Sequence, residues 1–212
     1  MPAFISRRVS IRWIPESATE PTDTIVLTGE GSYFLDARFL KIGGGLDWAF
    51  AGRRIAESPD CTRFVHLIDS RTLDAEEVVD QGTNIPLPNG TTLEKGTMVN
   101  PETGKMTDYE EIWEDIDHDC GNGSSSLFLR SDDSRTWQAR VGDYETAMGR
   151  HEDGAFWAWR AKRSDGNEAW KLIRAVGDGP VNHLPGPELT KDWELGTTVN
   201  WSNSNWTVLD KS

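Results

Sequence analysis

The chain is short of several things. Its 212 residues include two cysteines, Cys61 and Cys120, in no C-x-x-C spacing. Neither a disulfide framework nor a zinc knuckle is expected, and the two read as reduced thiols. Positive charge is also scarce: 22 Lys and Arg stand against 35 Asp and Glu, a formal charge of −13. No segment gathers basic residues as a phosphate-binding surface requires, which argues against nucleic acid and anionic membrane as partners. No run approaches ~18 consecutive apolar residues, and the opening "MPAFISRRVSIRW" lacks the apolar core of a signal peptide. A soluble cytoplasmic protein is the expectation.

Long helix-forming tracts are few as well, whereas ten Trp, twenty Gly and ten Pro are present, a composition that favours short strands joined by turns. Turn signals recur at "NPETGK" from residue 100, "RSDDSR" from 130, "RHEDGA" from 150 and "RSDGNE" from 163. Between them "KMTDYEEIWED", "TWQARVGDYETAMG", "AFWAWRAKR" and "AWKLIRAV" alternate bulky apolar with polar residues, the period of a half-buried strand. Upstream, "RVSIRWI", "DTIVLTG", "SYFLDARFLKI", "LDWAFAGRRI" and "TRFVHLID" read as five more strands, and "LDAEEVVDQG" as a helical turn. Nine or more strands in sequential antiparallel order leave two open edges unless the sheet closes, so an up-and-down β-barrel is expected. A single domain over residues 1–212 is expected, with a C-terminal extension from about residue 180.

The most unusual stretch is "TDYEEIWEDIDHD", residues 107–119, with seven acidic residues in thirteen. On a strand, Tyr109, Glu111 and Trp113 share one face, and Asp108, Glu110, Ile112 and Glu114 the other. The first face surrounds one carboxylate with two aromatics, which singles out Glu111 as a partly desolvated acid. Asp115, Asp117, His118, Asp119 and Cys120 crowd together, but neighbours on a strand point to opposite faces, and a metal site draws separated ligands onto one centre. No metal is expected. The four His stand in no nucleophile motif, and "GDGP" and "KIGGGLDW" lack the context of a nucleotide loop. No cofactor is expected either.

Polar residues flanked by aromatics on the strands are the remaining candidates: Asp36 and Arg38 in "YFLDARF", His66 in "FVHLI", Arg140 in "WQARV" and Arg160 in "FWAWRAK". A ligand-holding barrel needs an apolar wall with a few convergent polar groups, but alternation alone leaves open which face is inward. Trp48, Trp113, Trp137, Trp157, Trp159 and Trp170 line such a cavity or pack a solid core.

"YFLDARF" at 33–39, "DWAFAGR" at 47–53 and "LEKGTMVNPETGKMTDYEEIWEDID" at 93–117 resemble the fungal Hri protein family, over most of the chain. The resemblance implies a barrel of lipocalin or calycin character and supplies no agreed activity and no catalytic set. The family's name, taken from an interaction with a casein-type kinase, implies a protein kinase as one partner. Fold analogy adds cofactor-free cyclases among such barrels.

The reading that results is an all-β, antiparallel up-and-down β-barrel binding a small apolar or aromatic molecule, as a carrier or as a cofactor-independent isomerase or cyclase. Glu111 is the candidate general acid or base, Tyr109 a hydrogen-bond donor and Arg38 or Arg140 the group that orients or stabilises developing negative charge. Trp48, Phe50, His66, Trp113, Trp137, Arg140 and Trp159 are the candidate ligand contacts. The rival is a non-catalytic, kinase-binding interaction module with a filled barrel.

Overall fold

The structure, a computed structural model, describes residues 2–116, 126–163 and 169–212. Eight strands come first: β1 (Phe4–Trp13), β2 (Thr22–Thr28), β3 (Tyr33–Leu40), β4 (Leu46–Ala56), β5 (Cys61–Asp69), β6 (Gln81–Pro86), β7 (Thr92–Val99) and β8 (Met106–Asp115). Each pairs antiparallel with the next, and β8 returns to β1, closing a barrel. Seven more follow: β9 (Ser126–Ser131), β10 (Thr136–Val141), β11 (Tyr144–Arg150), β12 (Phe156–Arg163), β13 (Trp170–Val176), β14 (Thr198–Trp201) and β15 (Ser204–Lys211). They form an open sheet in the order β13-β12-β11-β10-β9-β15-β14. Among the described residues helix is confined to a 3-10 turn at Ala75–Glu77, within the stretch read as a helical turn, and to α1 at Pro187–Thr190.

The all-β, up-and-down antiparallel barrel is therefore present, but it closes over the first eight strands alone. About eight strands already make a ring whose interior side chains can fill or in which one small ligand fits. The later strands have no place in that ring, so they form a second sheet that packs on the barrel's outside.

This packing explains why β2, β3 and the middle of β4 are buried on both faces. Ile25, Leu27, Leu35, Phe39 and Ala51 share one core with Phe128, Trp137, Val141 and Met148 of the second sheet. The alternate residues, Val26, Phe34, Asp36, Arg38 and Phe50, line the barrel interior. Polar joints fasten the two layers. Arg160 on β12 is fully buried and donates to the carbonyl of Ala37 at 2.5 Å and to Asp23 at 3.1 Å, and burial pulls its guanidinium down to about 10. Arg174 donates to the same Asp23 at 2.9 Å. Asp210 on β15 accepts from Gly31 N and from Ser126 Oγ.

The residues after about 180 are built into this sheet. β15 pairs with β9, and Leu184 and Trp193 pack with Leu127, Leu129, Trp206 and Val208 over the sheet's far face. The Trp159 indole donates to the carbonyl of Pro180 at 2.9 Å, and Arg140 to that of Leu184 at 3.1 Å.

Candidate functional site

The barrel encloses a cavity of about 350 Å³, within the ~300–1,000 Å³ range of small-molecule sites. Alternation on every strand decides its lining. β8 turns Tyr109, Glu111 and Trp113 inward, the face isolated above; β3 turns in Phe34, Asp36 and Arg38; β4 turns in Phe50 and Arg54; β7 turns in Thr92, Glu94 and Met98. The cavity opens beside the β4–β5 hairpin, where Ala56, Ser58 and Pro59 are exposed. Its waist is apolar, made of Val26, Phe34, Phe50, Phe64 and Trp113. Its closed end is a layer of buried charge.

That layer is nearly self-satisfied. Arg8 donates to Glu111 at 2.5 Å and to Glu20 at 2.9 Å; Arg38 donates to Asp36 at 2.8 Å and reaches Glu111 at 3.4 Å. The Arg38 guanidinium lies over Trp48 and Phe50, 4.9 and 5.3 Å from the ring centroids. His66 stacks on Phe50 at 4.1 Å and sits between two carboxylates, Asp69 at 2.7 Å from Nδ1 and Asp80 at 3.1 Å from Nε2. Burial opposes charging His66, yet the two carboxylate bonds outweigh it and raise its pKa. Burial raises Asp36 in spite of Arg38, while Arg38 itself is raised by Asp36 and Glu111 against its own burial.

Glu94 is the exception. Across the β7–β8 ladder it stands opposite Glu111, and it makes no ion pair among the described residues. Burial first, then the neighbouring Glu111 and Asp80, push its carboxyl up to about 8, so it carries a proton at neutral pH. The Tyr109 hydroxyl lies 3.0 Å from its Oε1, and burial raises the Tyr109 pKa too, which keeps the phenol neutral. Two glycines seat this pair. A Cβ on Gly82 would lie 2.5 Å from Glu94 Cγ, and one on Gly96 would lie 2.5 Å from the Tyr109 hydroxyl oxygen. Three buried polar atoms of cavity-lining residues, Thr28 Oγ1, Asp36 Oδ1 and Trp113 Nε1, have no hydrogen-bond partner among the described residues.

The candidates named from sequence divide. Glu111, Tyr109, Arg38, Phe50 and Trp113 line the cavity, and Trp48 and His66 pack in the layer beneath it. Trp137, Trp159 and Arg140 do not come to it, because they belong to the second sheet. Trp137 packs between sheet and barrel, whereas Trp159 and Arg140 point to the sheet's far side under residues 180–184. Trp157 and Trp170 cluster with Trp159 there, and Arg160 points outward from neither sheet, into the joint. Of the acidic crowd, Asp115 accepts from Ser6 Oγ at 2.7 Å, while Asp117, His118, Asp119 and Cys120 lie outside the described residues. Among the described residues no group of three His, Cys, Asp or Glu can hold a metal ion, and no helix is long and apolar enough to cross a membrane.

Glu94, Arg8, Asp80 and Arg54 were not singled out by sequence. A usable signal existed for Glu94. The turn at "NPETGK" pairs Val99 with Met106, and counting outward from it sets Glu94 opposite Glu111.

An uncharacterized protein of Saccharomyces cerevisiae has a crystal structure similar to this one, with a TM-score of 0.77 at 13% identity and 100% of both chains covered. At that identity the likeness speaks for the fold alone. No curated protein matches the chain. The family described as Protein HRI1 matches residues 4–210, nearly the whole sequence, and the chain belongs to the HRI1 family.

Proposed function

We propose that the barrel takes up one small, mainly apolar molecule in its cavity, in the manner of a lipocalin-type barrel. One observation supports this above the others: the apolar waist is bordered by Thr28 Oγ1, Asp36 Oδ1 and Trp113 Nε1, buried without partners. Side chains that only fill a core rarely leave such atoms, since an unsatisfied buried polar group costs about 1–3 kcal/mol. A ligand with an aromatic or aliphatic body and a few polar atoms meets both needs.

For a cofactor-independent isomerisation or cyclisation of that molecule, we assign proton transfer to Glu94 in place of Glu111. A general acid or base works best with a pKa near the working pH; Glu94 lies at about 8, whereas Glu111 is committed to Arg8 and Arg38. Tyr109 orients the carboxyl, and Arg38 is the cation beside the waist.

The test is saturable quenching of tryptophan fluorescence by 2-naphthylmethanol. Val26 lines the cavity and is 9% exposed, so Val26→Trp should block uptake while leaving the β-sheet infrared signature unchanged. Trp113→Ala should weaken uptake about tenfold, the loss of roughly 1.4 kcal/mol of contact. Quenching that never saturates, or that survives Val26→Trp, means a barrel filled as an interaction module would fill it.

A further inference from the structure

We propose that the open end of the cavity seats an anionic head group on Arg54, so that the molecule taken up is an organic acid: an apolar body ending in a carboxylate. The proposal rests on the reading that the cavity holds a small molecule, and it adds which kind.

Arg54 projects from β4 into the open end of the cavity. Its guanidinium lies over two aromatic faces, 5.2 Å from the Phe4 centroid and 5.6 Å from that of Phe64. Stacking holds the plane of the group while leaving its N–H edge free. The other arginines of the barrel are differently placed. Arg7, Arg8, Arg12, Arg38, Arg63 and Arg71 each have a carboxylate within ion-pair distance, and Arg53 is exposed on the outer face. Among the described residues the Arg54 side chain has aromatic partners and no hydrogen bond or ion pair.

A guanidinium drawn partly out of water without an acceptor is costly, and its planar fork of donors matches a carboxylate. Burial pulls the Arg54 pKa down, with Glu94 and Asp115 only partly compensating. Glu94 is protonated at neutral pH and so supplies little counter-charge. Asp115 is exposed and already accepts from Ser6. An incoming carboxylate therefore finds at the rim a cation unpaired among the described residues and, immediately inward, the apolar surfaces of Phe34, Phe64 and Trp113. An amine seated there would instead place a second positive charge beside Arg54.

Three probes of one shape separate the possibilities: 2-naphthoate, 2-naphthylmethanol and 2-naphthylmethylamine, titrated calorimetrically into the full chain at pH 7. The acid should bind tightest and the amine weakest. Arg54→Gln should lower the acid's affinity about tenfold to a hundredfold, the range of a hydrogen bond to a charged group, while the alcohol's affinity stays within about twofold, which also reports that the variant is folded. Arg54→Lys, which keeps the charge but loses the fork, should fall between. Equal binding of acid and alcohol, tightest binding of the amine, or an Arg54→Gln variant that loses all three alike would overturn the role of Arg54 and leave the cavity reading intact. Failure of all three probes to bind the native protein would overturn both.

Discussion

Glu94 shows how a single side chain changes character with its surroundings. Its folded-state pKa of about 8 stands above the ordinary value of 4.5, so between those two pH values the folded chain holds a proton that the unfolded chain has released. Stability contributed by this group therefore falls as pH rises through that window, by as much as ~1.4 kcal/mol per pH unit. His66 acts in the same direction: its raised pKa gives stability present below its unfolded value near 6.5 and lost as pH climbs through the folded one. Glu94→Gln keeps an acceptor for Tyr109 and abolishes the titration. The variant should melt near the native temperature at pH 5 and clearly above it at pH 8, with the residual decline above pH 6.5 left to His66; parallel melting curves at both pH values would refute the assignment. What was readable in the sequence at this scale is the face shared by Tyr109, Glu111 and Trp113, because alternation alone sets it. Glu94 was missed because in "TLEKGTM" it looks like one polar residue among several, and its character comes first from burial inside the barrel and then from Glu111 and Asp80 on other strands and loops. Trp137, Trp159 and Arg140 were misplaced for a related reason: an aromatic beside a charge has the same appearance on any strand.

Strands were the most legible elements, since turn residues and period-two alternation are local properties. Which face of each strand is inward was not legible. "YFLDARF" has apolar residues on both faces, and only the second sheet's presence explains why Leu35, Ala37 and Phe39 point away from the cavity while Asp36 and Arg38 point into it. On β6 and β7 the absence of side chains matters as much as their presence. Gly82 and Gly96 make the clearance for Glu94 and Tyr109, and Tyr109 is only 3% exposed. Gly96→Ala should therefore destabilise the fold by about 1–3 kcal/mol, the usual cost of overpacking. Combining it with Tyr109→Phe should recover part of that loss, because the hydroxyl oxygen is the nearest atom to the added methyl at 2.5 Å, with two ring carbons at 2.6 Å; strictly additive losses in thermal or urea unfolding would place the crowding on the ring and not on the hydroxyl.

At the scale of the whole molecule, eight sequential hairpin-linked strands announced a barrel, but nothing local announced where it would stop. Closure depends on β8 meeting β1, a pairing of residues about as far apart as Ser6 and Asp115, and such distant contacts leave no mark on a sequence window. The layered packing also has a consequence for how the chain comes to be made. The barrel strands are complete once residue 115 has been synthesised, yet the outer faces of β2, β3 and β4 then carry Ile25, Leu27, Leu35, Phe39 and Ala51 with nothing over them, and β9, paired with β10, gains its second neighbour only when β15 arrives. A nascent chain that closes its ring before the second sheet is made exposes a naked apolar flank, the kind of surface on which incomplete proteins associate. Residues 1–116 produced alone should bind a hydrophobic dye and aggregate, and should become soluble when residues 117–212 are supplied as a separate polypeptide, as size-exclusion chromatography would reveal. For this molecule the second sheet is, during its own birth, a late-arriving escort for the first.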